Sequence, residues 1–207
     1  MQTRADTRSE RARAHLTTSA EVTRRTGEVC LDAILKAAEA IAKALRAGGK
    51  VLLCGNGGSA ADCQHLAGEF MNRLTKDFDR PGMAVLALTT DTSFLTAFAN
   101  DSGFDGVFER QVRALGRPGD VLMGISTSGK SRNVIRAVEA ANGLKMTTIA
   151  LTGRGGRLGE VASVVIAVPS ADTQHIQEAH LSIEHAICDL VERGIWRDGP
   201  GARGDVR

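Results

Sequence analysis

The chain has 207 residues, a formal net charge of +2 and 43% hydrophobic residues, with one Trp, six Phe and no Tyr. This length is sufficient for one well-buried domain and short for two. The scarcity of aromatic side chains argues against a stacking platform for single-stranded nucleic acid. Because the excess positive charge lies at the two ends of the chain, the body carries no basic nucleic-acid-binding face, and we expect no nucleic-acid partner.

The four cysteines are far apart in the sequence and form no C-x-x-C pair: Cys30, Cys54, Cys63 and Cys188. Such cysteines are typical of buried free thiols in a reducing compartment. The sequence has no apolar run of about 18 residues and no hydrophobic segment typical of a signal peptide. We therefore expect a soluble cytoplasmic protein without a membrane partner.

Residues 1–18 are polar, rich in arginine and without an apolar face, which predicts a disordered arm. Apolar residues then recur at helical spacing over about 19–47, where two glycines end the pattern. This long N-terminal helix precedes the first strand and has no sheet face of its own to cover, so we expect it to build an oligomer interface. A single domain over 19–196 and a loose tail over 197–207 are predicted.

Five short apolar runs are typical of buried strands. They lie at residues 51–54, 84–88, 121–125, 146–151 and 164–168. Helical patterns separate most of them, notably at 106–115, 131–142 and 174–195. This alternation predicts βαβ units and therefore an α/β protein, a three-layer α/β/α sandwich with a central parallel sheet.

The first glycine loop, residues 55–59, has the local pattern of a phosphate site. It follows a buried strand, and an alanine-rich helix begins at Ser59. Free backbone N–H groups and the helix dipole at such a position favour an anion such as phosphate. Further along the same helix, His65 and Glu69 are four residues apart and therefore share one face.

A dinucleotide site is an alternative for the first glycine loop, since Gly55, Gly57 and Ala60 fit the G-x-G-x-x-G/A fingerprint. That fingerprint requires an acidic residue about 20 residues later, at the end of a second strand. Asp77 and Asp79 lie near this spacing, but their neighbourhood is a polar loop. The sequence therefore favours a simple phosphate over a dinucleotide.

The second glycine loop, residues 126–131, also follows a strand and opens a helix. With Gly124 it matches the P-loop pattern G-x-x-x-x-G-K-[ST]. A P-loop enzyme also needs a Mg²⁺-binding Asp after another strand, and Asp91 is the one candidate. The hydroxyls of this loop suit a phosphate held without metal, whereas a solvated turn that caps the helix remains the simplest alternative.

The last predicted helix carries polar residues suited to a metal. Gln177 and His185 lie about 80° apart on the same side, with His180 between them in sequence. Together with His65 and Glu69 they offer imidazole, carboxylate and amide ligands, which suit Zn²⁺ or a similar divalent ion.

Four segments together resemble one known family. They are GNGGSAADCQHLAGEF, LTTDTSFLTAFAND, GISTSGKS and IQEAHLSIEH. In this order they are similar to the sugar-isomerase (SIS) domain family, and within it to the phosphoheptose isomerases. The similarity runs from about residue 25 to residue 195. It implies a flavodoxin-like α/β/α domain assembled as a homotetramer, with active sites at subunit interfaces.

The resemblance also implies roles for individual residues. The sugar phosphate would be held by Asn56, Gly57, Gly58, Ser59, Ser126, Thr127, Ser128 and Ser131. The remaining substrate contacts would be Asn100, Asp101 and Gln177. One zinc ion per subunit would be bound by His65, Glu69, Gln177 and His185, whereas His180 matches a position without a ligand role. No catalytic Asp is carried over to residues 172–174, because the loop before the last helix differs in spacing among members.

The implied reaction converts sedoheptulose 7-phosphate to D-glycero-D-manno-heptose 7-phosphate through an enediol, as the first step of nucleotide-activated heptose biosynthesis. Such a reaction needs a base and an opposed acid, and we expect Glu69 to be the base and His185 the acid. The alternative is a non-enzymatic SIS protein that binds the replication initiator or senses sugar phosphates. Paralogues of the initiator-binding kind lack members of the ligand set, whereas this chain has all four.

Overall fold

The computed structural model describes residues 4–76 and 79–196. Its elements are, in chain order, α1 (Arg4–Val29), α2 (Leu31–Arg46), β1 (Val51–Gly55), α3 (Gly58–Met71), β2 (Val85–Ala87), α4 (Thr92–Ser102), a 3₁₀ turn (Phe104–Gly106), α5 (Val107–Leu115), β3 (Val121–Ser126), α6 (Arg132–Gly143), β4 (Thr147–Thr152), α7 (Arg157–Val161), β5 (Val164–Ala167) and α8 (Thr173–Trp196). None of these helices is long and apolar enough to cross a membrane.

The five strands form one parallel sheet in the order β2-β1-β3-β4-β5. This is the flavodoxin-like order, in which the chain direction across the sheet reverses between β1 and β3. Open sheets of this kind bind ligands at the carboxyl ends of the strands at that reversal. The predicted fold class is confirmed, and all five predicted strands are present.

Alternation along the strands sends side chains to two hydrophobic clusters, one on each face of the sheet. Leu53 and Met123 point to the face covered by α2, α3 and α8. Leu52 and Leu122 point to the opposite face, which is covered by α5, α6 and α7. The strands are therefore buried on both sides, as their continuous apolar runs require.

The N-terminal region differs from the prediction in two respects. The helix begins at Arg4 rather than near residue 19, and it is divided at Cys30 into α1 and α2. The divide is a bend, because the Cys30 amide still donates to the Thr26 carbonyl and the Cys30 carbonyl still accepts from Ile34. The sequence predicts a disordered arm there because the segment lacks apolar residues, whereas α1 packs on α8 with a polar contact from His15.

The expectation that the first long helix has no sheet of its own is also corrected. Ile34 and Ile41 of α2 are buried in the same cluster as the strand residues Val121 and Ile149. Here α2 packs against α8 and reaches the sheet within its own chain. Its outer side still exposes Leu31 and Leu35. The loose tail predicted at 197–207 lies outside the described residues.

A buried ion pair joins the amino ends of β1 and β3. Lys50 Nζ lies 2.6 Å from Asp120 Oδ2, and the Asp120 side chain is only 3% exposed. The same carboxylate accepts hydrogen bonds from the backbone N–H groups of Lys50 and Arg117. Burial raises the pKa of Asp120, but these hydrogen bonds outweigh it, so the pKa lies below the ordinary value.

We predict that Asp120→Asn lowers the free energy of unfolding by about 2 kcal/mol at pH 7, because a charge-assisted bond and a backbone partner are lost. The native pKa is depressed, so this contribution is present above the unfolded value of about 3.9 and is lost as pH falls through the native value. Urea unfolding at a series of pH values measures it. The difference from wild type should shrink below about pH 4, and the exposed Asp105→Asn serves as the neutral control.

Candidate active site

The two glycine loops lie side by side at the carboxyl edge of the sheet. Gly55 at the end of β1 pairs in register with Ile125 near the end of β3. This is the point where the strand order reverses, so both loops occupy the position at which such sheets bind ligands. The structure therefore brings the two predicted phosphate loops together.

A reciprocal pair of amides links the elements that follow these strands. Asn56 Nδ2 donates to Asn133 Oδ1 at 2.9 Å, and Asn133 Nδ2 donates to Asn56 Oδ1 at 2.8 Å. Asn133, in the first turn of α6, is buried. It was not predicted from the sequence, because a polar residue in a helix start resembles an ordinary cap until its partner, 77 residues away, is known.

Within the second glycine loop the hydroxyls are ordered by one another. Ser126 Oγ lies 2.9 Å from Ser131 Oγ, and Ser128 Oγ accepts a hydrogen bond from the Lys130 amide at 3.2 Å. The backbone turns through Gly129 with φ = 62°, where a β-carbon would lie 2.5 Å from the Gly155 carbonyl oxygen. Glycine is therefore required for this close approach.

A cleft of about 210 Å³ opens beside this loop. Its lining includes Thr127, Ser128 and Lys130 together with Arg154 from the segment after β4. Hydroxyls and two cations in a small cleft suit a phosphate group. Arg154 was missed at the sequence level, because its segment carries no phosphate-binding motif.

A larger cleft, of about 440 Å³, lies at the opposite edge of the sheet. It is lined by residues of α2 and by Gly119 and Thr147, at the amino ends of β3 and β4. None of the predicted site residues lines it. Size alone therefore does not locate the site, and we assign the site to the edge that carries the loops.

His65, Glu69 and His185 converge where α3 packs against α8. The Nε2 atoms of the two imidazoles are 2.8 Å apart, and Glu69 Oε1 is 3.7 Å from His65 Nε2. One ligand atom from each of the three residues lies within 4.8 Å of the others. Two imidazole nitrogens and a carboxylate oxygen in this space fit the ligand preferences of zinc.

Gln177 lies at the loop end of the same helix pair. A β-carbon at Gly58 would overlap the Gln177 side-chain amide nitrogen, so the amide rests on the first residue of α3. Gly58 precedes His65 by seven residues, about two turns, and thus faces the same side. The structure therefore places the Gln177 side chain, at the loop end of α8, against the first glycine loop.

The carboxyl end of α3 is fixed to α8 by a buried guanidinium group. Arg80 Nε lies 3.2 Å from Glu192 Oε1, and the two side chains are 0% and 2% exposed. Arg80 also donates to the backbone carbonyl oxygens of Glu69 and Phe70. The main chain at Glu69 is therefore held by Arg80, 11 residues later in the sequence.

Two further polar residues of α8, His180 and Glu184, are buried. Neither carboxyl oxygen of Glu184 has a hydrogen-bond partner among the described residues, whereas His180 lies against the backbone of Thr152. Burial lowers the pKa of His180 to about 4, and burial together with the nearby charge of Asp62 raises the pKa of Glu184 to about 9. Both groups are therefore neutral at pH 7, and His180 contributes no atom to the three-residue cluster.

Asn100 and Asp101 lie apart from the other predicted residues. Both are exposed on α4, where Asn100 Nδ2 donates to Asp101 Oδ1 at 2.9 Å. Helix α4 packs against the 3₁₀ turn and α5, on the far side of the sheet from α8. No hydrogen bond or ion pair among the described residues joins this pair to the glycine loops.

Two of the three alternatives for the glycine loops, the P-loop and the dinucleotide site, lose support. Asp91 caps α4 by accepting from the Phe94 amide, so the one Mg²⁺ ligand that a P-loop enzyme would use is employed elsewhere. A dinucleotide site would require an acidic residue at the end of a strand. Asp79 instead lies in a loop, with a side chain that is 97% exposed. Asp77 lies outside the described residues.

Comparison with known proteins identifies relatives over most of the chain. The SIS domain family matches residues 15–153. A phosphoheptose isomerase of Burkholderia pseudomallei is 53% identical over 170 residues, covering 82% of this chain and 85% of the relative. A phosphoheptose isomerase of Neisseria meningitidis is 50% identical over 190 residues, covering 90% and 95%.

Solved structures of two phosphoheptose isomerases superpose well on the chain. The enzyme of Neisseria gonorrhoeae has a TM-score of 0.83 at 47% identity, covering 89% of this chain and 98% of that one. The enzyme of Francisella tularensis has a TM-score of 0.85 at 38% identity, covering 89% and 97%. The chain therefore belongs to the SIS domain family and, within it, to the phosphoheptose isomerases, a family of isomerase enzymes.

Proposed function

We propose that this chain is an aldose–ketose isomerase that converts sedoheptulose 7-phosphate to D-glycero-D-manno-heptose 7-phosphate, in the cytoplasm, as the first step of nucleotide-activated heptose biosynthesis. The observation that carries this proposal is the pairing of two glycine loops at the sheet edge with a His/Glu cluster between α3 and α8. A phosphate at the loops leaves the rest of a sugar free to reach neighbouring side chains.

Phosphate binding is assigned to the two glycine loops. The first glycine loop offers backbone N–H groups of Gly57, Gly58 and Ser59 at the start of α3, where the helix dipole favours an anion. The second supplies the hydroxyls of Ser126, Thr127, Ser128 and Ser131, with Lys130 and Arg154 in the adjoining cleft. These contacts are equally available to substrate and product, so they serve binding rather than the chemical step.

Proton transfer is assigned to the cluster between α3 and α8. Isomerisation requires removal of a proton from the carbon beside the carbonyl and its return to the neighbouring carbon. The Glu69 carboxylate, held by the Arg80 contact to its backbone, is the proposed base. The His185 imidazole is the proposed acid that opens the sugar ring and moves the proton between the oxygens.

Zinc is the metal that we propose for this cluster. His65, Glu69 and His185 would hold it, and Gln177, which extends from the loop end of α8, is the proposed fourth ligand. When bound, zinc would polarise the substrate oxygens as a Lewis acid. The support is the donor chemistry of the converging side chains.

A homotetramer with shared active sites is proposed for the assembly. The outer side of the N-terminal helices exposes Val29, Leu31 and Leu35, with Val29 63% exposed. Exposed apolar rows of this kind mark contact surfaces. Asn100 and Asp101 lie away from the glycine loops of their own chain. We propose that they contact the substrate bound by a neighbouring subunit.

A non-enzymatic role, either binding of the replication initiator or sensing of sugar phosphates, is the competing proposal. The isomerases to which the chain is similar favour an enzyme. The intact His65, Glu69, Gln177 and His185 set points the same way. Purified protein with zinc that fails to convert sedoheptulose 7-phosphate, yet binds an initiator protein tightly, would decide for the competing role.

The first prediction separates base catalysis from phosphate binding. Glu69→Gln keeps the size of the side chain but removes the basic carboxylate, so kcat should fall by about 10²–10⁴-fold. Ser128→Ala should instead raise KM more than it lowers kcat, because the phosphate contact is made in ground and transition states alike. Steady-state kinetics with sedoheptulose 7-phosphate measures both. The exposed Glu139→Gln is the control, and near-normal turnover of Glu69→Gln would refute the assignment of the base.

The second prediction concerns the contact between Gly58 and Gln177. Gly58→Ala places a methyl group where the Gln177 amide lies, so that side chain must move and kcat/KM should fall by about 10²-fold. Gly68→Ala is the matched control on the same helix, since a β-carbon there meets nothing within 4 Å. Equal kinetics for the two variants would show that the position of Gln177 is unimportant.

The third prediction concerns assembly. Wild-type protein should sediment as a tetramer at micromolar concentration, and the double change Leu31→Glu, Leu35→Glu should give smaller species because it places charges on the proposed interface. Leu115→Glu, at an exposed leucine of α5 on the other side of the sheet, should leave the tetramer intact. Sedimentation velocity decides, and a monomeric wild type would overturn the proposed assembly.

A further inference from the structure

A second group of potential metal ligands lies where α1 meets the beginning of α8. His15 Nε2 is 2.7 Å from Glu178 Oε1, and His175 Nδ1 is 2.9 Å from Glu178 Oε2. One ligand atom from each residue lies within 4.8 Å of the other two. Among the described residues, this group and the His65 cluster are the two sets that meet this criterion, and they share no residue.

The chemistry of the group suits a borderline divalent cation. Two imidazole nitrogens and one carboxylate oxygen are the donor set of many zinc sites, in which a fourth position is left to water. The imidazole rings are 4.6 Å apart between centroids, and both lie against the same carboxylate. The hydroxyl of Ser19 also contacts Glu178 and supports its orientation.

The exposure of the three residues allows an ion to enter. The side chains of His15 and Glu178 are each 38% exposed, whereas that of His175 is 9% exposed. One buried and two accessible ligands give a site that is anchored in the fold and open to solvent. All three belong to one chain, so the site needs no contribution from another subunit.

The group also lies at the point where the first half of α1 docks on α8. Over residues 7–20, His15 and Ser19 are the two residues that are not exposed, and both contact Glu178. Few apolar contacts therefore hold this half of α1, and its docking on α8 depends on polar groups. A cation bound by all three ligands would link the helices more firmly than hydrogen bonds to one carboxylate.

We propose that His15, His175 and Glu178 form a second divalent-cation site, of the zinc class, that clamps α1 onto α8. The site is separate from the His65 cluster and does not rest on the proposed isomerase activity.

Zinc stoichiometry tests the site. Tag-free protein is equilibrated with zinc, freed of unbound metal and analysed by mass spectrometry of the element. His15→Gln should bind one ion per chain fewer than wild type, and Glu21→Gln, an exposed change on the same helix, should bind as much as wild type. His185→Ala should retain the ion that His15→Gln loses, which separates this site from the His65 cluster whatever that cluster binds.

Hydrogen exchange tests the clamp. At a free zinc concentration ten times the Kd, exchange of the amides of residues 7–20 should slow by about tenfold in wild type and Glu21→Gln but not in His15→Gln. His175→Asn, with circular dichroism to verify folding, gives a second variant with the same expectation. Equal zinc content in wild type and His15→Gln, or exchange that zinc leaves unchanged, would overturn the proposal and leave the group a hydrogen-bond network.

Discussion

The parallel packing of α3 against α8 is the contact on which the site depends. Gly58 and His65 are seven residues apart on α3, and Gln177 and His185 are eight apart on α8, so each helix presents one residue near the glycine loops and one about two turns later. Because both helices run in the same direction, Gln177 meets Gly58 and His185 meets His65. A shift of one helix by one turn would separate both pairs at once.

The site also depends on the sheet, because its strand order puts the ends of β1 and β3 next to each other. The amide pair of Asn56 and Asn133 then links the first glycine loop to the start of α6. The two glycine loops and the His/Glu cluster are thus positioned by different contacts: the loops by the sheet edge, and the cluster by the pair of helices α3 and α8. This division fits a reaction in which phosphate binding and proton transfer occur at separate parts of one sugar.

The sequence predicted the elements whose signal is local. Apolar runs predicted the strands, and the loops and the four-residue spacing of His65 and Glu69 predicted site residues that the structure brings together. It did not predict helix over residues 4–18, because the stabilising partner of His15 is Glu178, 163 residues away. Asn133 and Arg154 were missed for the same reason, since their roles depend on contacts between distant segments. Helix α4 was also missed; none of its residues is fully buried, although Leu95 and Phe98 pack against the second cluster.

The contacts of Arg80 give the segment after α3 a structural role besides connecting α3 to β2. Arg80 neutralises Glu192 and binds the carbonyl oxygen of Glu69, so its guanidinium group joins the last turn of α3, the following loop and the end of α8. The number of residues between Glu69 and Arg80 therefore affects whether Arg80 can reach both Glu192 and the carbonyl oxygen of Glu69. In this chain an insertion or deletion there would shift the backbone of Glu69, the proposed base. Loops usually tolerate changes in length, and this one is an exception whose length would have to be preserved in any redesign of the surface.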